Sequence, residues 1–248
     1  TLRHTLFPYT TLFRSVVAHC AGPFIHTALP MARACLRTHT HYLDITGEID
    51  VFETLGELDA EAREAGVMLL PGAGMDVAPS DCLALYLAQR LPDATRLTLA
   101  LHSTGGASHG TALTMLKFLP QGGRVRKDGV LTPVPLGHKS MVVDFGEVRH
   151  TAVCIPWGDV ATAYHSTGIP NIEFYMATPG LRAVLRLVRG FGGVLATRPV
   201  QRLLKRLVPA GGPSPEKRAA DYCLFWGAVE NAAGARAEAR LRTPDGYT

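Results

Sequence analysis

The chain has 248 residues, of which 47% are hydrophobic and 19% are charged, and its formal net charge is +4. These values are typical of a folded globular protein, long enough for one large domain or two modest ones, and they exclude a disordered chain. The small net charge gives no reason to expect a nucleic-acid partner.

The first fifteen residues do not follow the pattern of a folded segment. The string TLFPYTTLFRS, residues 5–15, has neither a helical period nor an alternation of apolar and polar residues, and Pro8 interrupts it. It resembles a translated frame of a common sequencing-library adapter. We therefore assign residues 1–15 to a non-native leader. The alternative is an extended leader or an edge strand.

From Val16 onward, short apolar runs alternate with helical patterns. The runs VVAH, HYLDI and VMLL predict three strands, and helices are predicted over residues 27–38 and over Val51–Ala65, the latter ending at Gly66. This order is typical of a parallel sheet covered by helices. Residues 16–92, including a helix that follows Asp81, are therefore predicted to be part of a doubly wound α/β domain, with further strands expected before Val16.

A different pattern begins after Pro92. Residues 95–103 alternate, a helix is predicted over residues 112–119, and Asp128-Gly129 is a hairpin signal. Further strands are predicted in KSMVVDF, HTAVCI and NIEFYMAT, and two more around an Ala-Gly turn near the end of the chain. Residues 93–248 are therefore predicted to form an α+β domain.

Glycine-containing turns follow each of the first three predicted strands: CAGPF at 20–24, DITGE at 44–48 and PGAGMDVAPSD at 71–81. In open parallel sheets, ligands bind at the carboxyl ends of the strands, and glycine lets the backbone approach them closely. Asp44 and Glu48 would either orient a ribose or substrate group or accept hydrogen bonds from nearby loop N–H groups. Asp81 is predicted to cap its helix or to interact with the helix dipole.

Other classes of site receive less support. The i, i+2 spacing of His39 and His41 lacks a partner motif for a metal, so we predict no metal site. The chain contains neither a G-x-S-x-G motif nor a Walker loop. The five cysteines form no C-x-x-C pair, no secretory signal precedes them, and no run of about 18 apolar residues is present. We therefore expect a reduced, cytoplasmic protein.

Residues 181–208 carry cations and no acid, interleaved with apolar residues. The segment is either a solvated helix face or a surface that lies in the headgroup layer of a membrane. Its basic residues are Arg182, Arg186, Arg189, Arg198, Arg202, Lys205 and Arg206.

Six ordered motifs carry a resemblance to a known family: VVAHCAGPF, HYLDITGEIDVFE, PGAGMDVAPSDCLA, HGTALTML, WGDVATAYHSTGIPNIEFY and RLRTPDGYT. Together they resemble the saccharopine dehydrogenase-like oxidoreductases, in particular the branch with the trans-acting enoyl reductases. The resemblance implies an incomplete Rossmann-like sheet followed by an α+β substrate or dimerisation domain. It further implies truncation at both ends, because the family's glycine-rich phosphate loop and its NADP-binding arginine would precede Val16, and the helix that normally returns to the first domain would follow Thr248.

The resemblance implies an NAD(P)-dependent oxidoreductase that transfers hydride to a small or acyl-chain substrate, such as an enoyl intermediate of lipid metabolism. We expect this fragment to be inactive and to bind NADP or NAD weakly, and we expect a homodimer. The candidate catalytic residues are Tyr42, Ser108, His109 and Tyr164. The residues implied to bind the nicotinamide side are Cys20, Ala21, Gly22, Pro23, Phe24, Thr46, Gly47, Glu48, Gly72, Gly74, Asp76 and Pro79. The alternative function is a non-catalytic relative that associates with membranes or lipid surfaces through residues 181–208.

Overall fold

The computed structural model describes residues 15–105, 122–178 and 214–246, together with Gly180, Leu181, Leu185 and Thr197. The chain divides into two compact units, residues 1–78 and 79–248. Several predicted features lie outside the described residues. They are the leader up to residue 14, the helix at 112–119, Ser108, His109 and the basic residues of 181–208.

The first unit is a three-stranded sheet with helices. Its elements are β1 (Val16–His19), α1 (Phe24–Arg37), β2 (His41–Asp44), α2 (Ile49–Gly56), α3 (Asp59–Ala65) and β3 (Leu69–Leu70). The strands lie in the order β1-β2-β3, and both pairs are parallel, with Val16 opposite His41 and Tyr42 opposite Leu69. Because the strands are parallel and consecutive, their carboxyl ends lie at one edge of the sheet.

The core of the first unit lies between the helices and one face of this sheet. The apolar spacing of α1 places Ala28, Ala32 and Leu36 on its buried side, where they pack with Tyr42 of β2. The remaining core residues come from α2, α3 and the approach to β3, and they include Val51, Leu55, Leu58, Ala62 and Val67.

The structure corrects two predictions in this unit. The single helix predicted over Val51–Ala65 is two helices, because Leu58 leaves the helical conformation with φ −88° and ψ 3° between α2 and α3. Leu58 is buried, so its side chain contributes to the core at the turn between the two helices. The predicted third strand is also shorter, since only Leu69 and Leu70 pair with β2. Gly66 ends α3 in the left-handed conformation, as predicted.

The second unit contains α4 (Ala78–Arg90) apart from its first residue, and a mixed eight-stranded sheet. Its strands are β4 (Ala94–Ser103), β5 (Gly123–Lys127), β6 (Val130–Val134), β7 (Ser140–Asp144), β8 (Arg149–Cys154), β9 (Asn171–Ala177), β10 (Tyr222–Asn231) and β11 (Arg236–Pro244). Two further helices are α5 (Asp159–Thr167) and α6 (Pro215–Ala220), neither of which the sequence analysis predicted.

The sheet runs in the order β11-β10-β4-β9-β5-β6, with β8 also paired to β9 and β7 paired to β8. Among these pairs β4–β9 is parallel, and the others are antiparallel. The predicted Asp128-Gly129 hairpin is present between β5 and β6, with φ values of +49° and +79°. Both central residues of this turn therefore have the positive φ that matches the twist of the flanking strands.

The two faces of the large sheet are covered differently. On one face, α4 packs so closely that a Cβ atom at Gly227 would come within 2.7 Å of the Leu87 side chain and 3.3 Å of Leu83. The helix that the sequence analysis assigned to the first domain therefore packs against the second unit's sheet. On the other face, the β7–β8 hairpin contributes Val143 and Ala152 to a core that also includes Trp226.

No helix in the described part of the chain is both long enough and apolar enough to cross a membrane.

Candidate functional site

The loops that follow β1, β2 and β3 meet at one edge of the first unit's sheet. The link between the first two is the side chain of Glu48, whose two carboxylate oxygens accept hydrogen bonds from the N–H groups of Phe24 (3.2 Å) and Ile25 (3.1 Å). These N–H groups belong to the first turn of α1 and have no partner within the helix. Glu48 therefore caps α1 and joins the loop after β2 to the loop after β1.

The loop after β1 is also tied to its own helix. The Thr27 hydroxyl donates a hydrogen bond to the carbonyl of Ala21 at 2.9 Å, and His19 Nε2 lies 3.0 Å from Thr27 Oγ1. The bond between Gly22 and Pro23 is cis. The two contacts made by Thr27 connect the end of β1 and the loop after it to α1.

The link between the second and third loops is Asp44, at the carboxyl end of β2. Asp44 is fully buried, and its Oδ1 accepts hydrogen bonds from the N–H groups of Thr46 (3.0 Å) and Gly72 (2.8 Å). Its Oδ2 accepts a hydrogen bond from the Tyr42 hydroxyl at 2.6 Å, and its carbonyl accepts one from the Ala73 N–H. Of the two alternatives left open for Asp44 and Glu48, the structure shows the hydrogen bonds to loop N–H groups.

The glycines of these loops make close contacts of two kinds. Gly47 lies directly beneath the Asp76 carboxylate, so that a side chain at Gly47 would overlap it. Gly72 has φ +72°, and a Cβ atom there would come within 2.6 Å of Val77 and 2.7 Å of Phe52. Both positions therefore require glycine in this arrangement. Gly74 differs, because the nearest atoms to its Cβ position belong to Ile45 at an ordinary 3.5 Å.

The electrostatics of this edge are acidic. Burial raises the pKa of Asp76 from its ordinary 3.8 to about 6. The Tyr42 hydroxyl has its pKa raised by burial and by its hydrogen bond to Asp44. None of the residues predicted to bind the cofactor is Lys or Arg. The edge therefore suits a neutral or cationic group better than a phosphate.

The structure brings together most of the predicted cofactor-binding residues. Pro79 is the exception among them, because it lies in α4 and is part of the second unit, whereas the others are part of the first unit. The residues on the three loops of the first unit, together with the first residue of α1, are Cys20, Ala21, Gly22, Pro23, Phe24, Thr46, Gly47, Glu48, Gly72, Gly74 and Asp76. Cofactor binding by these residues stays a prediction.

The candidate catalytic residues come from both units and from a segment outside the described residues. Tyr42 is fully buried and donates its hydroxyl hydrogen to Asp44, and a catalytic role for it stays a prediction. Tyr164 lies in α5 of the second unit, where the Arg126 guanidinium stacks 4.3 Å above its ring. Ser108 and His109 lie outside the described residues, as does the basic segment, whose contact with membranes stays a prediction.

Two smaller predictions concern polar side chains. His41 Nδ1 accepts a hydrogen bond from the Met68 N–H, and His39 Nδ1 lies 2.9 Å from the carbonyl of Ala65. No group of three or more His, Cys, Asp or Glu residues able to hold a metal occurs in the described ranges.

Asp81 lies in the first turn of α4 and accepts a hydrogen bond from the Ser166 hydroxyl at 2.5 Å.

The sequence analysis missed a polar cluster in the second unit. Glu173 on β9 accepts hydrogen bonds from the Lys139 ammonium group and from the Tyr175 hydroxyl, the latter at 2.7 Å. Burial alone would raise the pKa of Glu173, but these hydrogen bonds and the charges of Lys139 and His138 hold it below its ordinary value. The alternation of Ile172 and Phe174 with Glu173 and Tyr175 was the available signal, because it places both polar groups on one face of β9.

Comparison with known proteins agrees with the resemblance found in the sequence. No family model matches the chain. A saccharopine dehydrogenase-like oxidoreductase from Bos taurus is 30% identical over 78 residues, which are 31% of this chain and 18% of that protein. A trans-acting enoyl reductase from Mycobacterium leprae is 34% identical over 77 residues, again 31% of this chain and 18% of that protein. These matches span less than a fifth of the relatives' length.

Among solved structures, the apo saccharopine dehydrogenase (L-Glu forming) from Saccharomyces cerevisiae matches with a TM-score of 0.55 and 12% sequence identity. The match covers 92% of this chain and 70% of that chain. The predicted fold class, an α/β sheet followed by an α+β region, is thereby confirmed.

Proposed function

We propose that the loops after β1, β2 and β3 hold the nicotinamide end of NAD(H) or NADP(H), and that the whole protein is an oxidoreductase. The observation that carries this proposal is the joining of three consecutive parallel strand ends through Asp44 and Glu48. This edge of a parallel sheet is where doubly wound folds bind dinucleotides. The names of the relatives support the proposal as well.

The residues present fit one end of a dinucleotide better than the other. The N-terminus of α1 would normally attract a phosphate, but the Glu48 carboxylate already accepts its first N–H groups. Asp76 adds a second acid. A pyrophosphate would therefore be repelled here, whereas an uncharged carboxamide and ribose, or the cationic ring of an oxidised nicotinamide, would not.

When bound, the nicotinamide would supply the hydride chemistry. The chain's own contribution would be to fix the loops that orient the ring. Asp44 would hold the Thr46 and Gly72 loops together, and Glu48 would hold the Phe24 loop against them. A small or acyl-chain substrate, such as an enoyl compound, follows from the relatives' names alone and completes the proposal.

The test is a substitution that fills the edge without disturbing the loops. A leucine at Gly74 has room at its Cβ, since the nearest atoms lie at 3.5 Å. Gly74→Leu should therefore keep the fold and obstruct the ring. We expect ring-proton signals of NADH or NADPH in saturation-transfer NMR to fall at least about tenfold in the variant. Nicotinamide mononucleotide should behave like the full dinucleotides.

The matched control is Ala60→Leu, which adds the same side chain at an exposed position of α3. This control should leave the ring-proton signals unchanged, and both variants should retain the circular dichroism spectrum of the parent chain. Equal signals from Gly74→Leu and from the parent would refute the assigned position. Saturation transfer confined to adenine protons would refute the nicotinamide assignment.

A further inference from the structure

A cavity of about 430 Å³ opens on one face of the second unit's sheet, beside the β7–β8 hairpin. This volume is within the range of small-molecule binding sites. Its apolar wall includes Val125, Met141 and Trp226, and its polar lining includes Thr98 and Glu173. None of these residues belongs to the candidate site in the first unit.

The strand register explains why these side chains meet. Thr98 of β4 is opposite Glu173 of β9 on one side and Ala228 of β10 on the other. Residues opposite each other in paired strands point to the same face. The neighbouring residue Leu99, opposite Gly227 of β10, points to the other face and is buried there. The strand register therefore places the side chains that line the cavity on one face of the sheet, the face that the β7–β8 hairpin partly covers.

The charges around the cavity are unequal in number. Among the residues that the structure describes, five cationic residues and two carboxylates line it. Both carboxylates are paired within the lining, Glu173 with Lys139 and Glu230 with Arg96. The Arg126 guanidinium already donates hydrogen bonds to backbone groups, from Nε to the carbonyl of Val160 and from Nη1 to the carbonyl of Gly129.

The other two cations of the lining are Arg236 and Lys127. Arg236 forms an ion pair with Glu238 at 3.0 Å. The Lys127 side chain is exposed at the end of β5, and its ammonium group forms no hydrogen bond or ion pair with any described residue. The cavity therefore combines an apolar wall with a net positive charge at its rim, centred on Lys127.

We propose that this cavity binds a small organic anion, with its apolar body against Trp226 and Met141 and its carboxylate or similar group beside Lys127. Burial of an apolar body against the indole and thioether supplies affinity, and the ammonium group supplies selectivity for charge. The proposal does not depend on nicotinamide binding in the first unit.

The probe pair is octanoate and octan-1-ol, which share an alkyl body and differ in charge. We expect octanoate to bind in calorimetric titrations, to bind more tightly than octan-1-ol, and to weaken as salt is added. The chain has two tryptophans, and Trp157 stacks on Phe174 rather than lining the cavity. Octanoate should therefore shift the emission of a Trp157→Phe variant, in which Trp226 is the only tryptophan.

Lys127→Gln should weaken octanoate binding about two- to fivefold, the range expected for one exposed charge pair. Arg149→Gln is the matched control, since it removes one exposed positive charge from β8, outside the cavity lining. Absence of octanoate binding at millimolar concentration would overturn the proposal. Equal affinity for octanoate and octan-1-ol, or equal losses in the two variants, would overturn it too. A stable dimer that excludes both probes would assign this face to a second copy instead.

Discussion

The Asp76 carboxylate lies directly over the Cα atom of Gly47, and no side-chain atom could be added at Gly47 without displacing it. The two residues come from different loops, so this contact sets the spacing of the loops after β2 and β3. The short Asp76 side chain has few ways to move aside, and overpacking of this kind typically costs about 1–3 kcal/mol.

The contact predicts a coupled pair of substitutions. Gly47→Ala should lower the free energy of unfolding by about 1–3 kcal/mol, because the new methyl group displaces the Asp76 carboxylate. The same substitution in an Asp76→Ala background should cost less, since the obstructing group is gone. Urea unfolding of the four proteins of this double-mutant cycle measures the difference. Additive effects would show that the two residues do not interact.

Asp76 also predicts a pH dependence. Its pKa is raised by burial to about 6, above the ordinary 3.8, so the folded state binds a proton more tightly than the unfolded state. Stability is therefore lost as the pH rises between about 4 and 6. Asp76→Asn should remove this loss and be more stable than the parent by on the order of 2–3 kcal/mol at pH 7. The difference should shrink towards pH 4.

Urea unfolding followed by circular dichroism between pH 4 and 7 checks this prediction. Asp59→Asn is the control, because Asp59 is an exposed carboxylate of the same unit. It should reproduce the pH profile of the parent. A constant difference between Asp76→Asn and the parent across this range would contradict the raised pKa.

The buried Tyr42–Asp44 hydrogen bond predicts unequal effects of two conservative changes. Tyr42→Phe removes one donor and should cost about 1 kcal/mol. Asp44→Asn keeps an acceptor for Thr46 and Gly72 but places an NH₂ group against the Tyr42 hydroxyl, so we expect a loss of about 2–4 kcal/mol. In the Tyr42→Phe background, Asp44→Asn should cost less, because the hydroxyl that opposes the NH₂ group is absent. Equal losses in both backgrounds would exclude the coupling.

The sequence predicted correctly those elements that are marked by a pattern within a few neighbouring residues. The alternation of residues 95–103 marked β4, and Asp128-Gly129 marked the β5–β6 turn because few residue pairs accept two positive φ values. The break between α2 and α3 left no such signal. Phe52, Leu55, Leu58 and Ala62 keep a helical spacing across it, and Leu58 is buried in the turn as it would be in a helix.

The sequence predicted which three loops form the candidate site, but it did not predict the hydrogen bonds that join them. Glycine-containing turns after consecutive strands located the three loops. The bonds that join them connect Asp44 with Gly72 and Glu48 with Phe24, pairs separated by 28 and 24 residues. Side-chain partners at that separation depend on the register of the sheet, which no local pattern specifies. The Lys139–Glu173 pair, 34 residues apart, was missed for the same reason.

The Glu48 cap predicts a local effect on α1. Glu48→Ala should lower the free energy of unfolding by about 1–2 kcal/mol, since two N–H groups of the first turn lose their acceptor and the helix dipole loses a negative partner. The amides of Phe24 and Ile25 should then exchange with solvent faster. Glu64→Ala, at an exposed position of α3, is the control and should change stability by less than about 0.5 kcal/mol. Unchanged exchange at both amides would contradict the cap.

The Glu173 cluster predicts how the second unit responds to pH. The folded-state pKa of Glu173 is below its ordinary value, so its contribution to stability is present above that ordinary value and is lost as the pH falls through the folded pKa. Lys139→Met removes a hydrogen bond and a positive charge while keeping the length of the side chain. Burial then dominates, and the pKa of Glu173 should rise above its ordinary value.

Carboxyl ¹³C NMR titration of Glu173 in the parent and in Lys139→Met measures this change directly. The variant should lose about 1–3 kcal/mol of stability at pH 7, because a half-buried carboxylate loses its ammonium donor and keeps the Tyr175 hydroxyl, and the loss should be smaller at pH 4. Lys127→Met is the matched control. It removes the same charge from an exposed lysine of the same cavity that does not bond to Glu173, so the Glu173 titration should stay as in the parent. An equal shift in both variants would mean that net charge, rather than the Lys139 hydrogen bond, sets the Glu173 pKa.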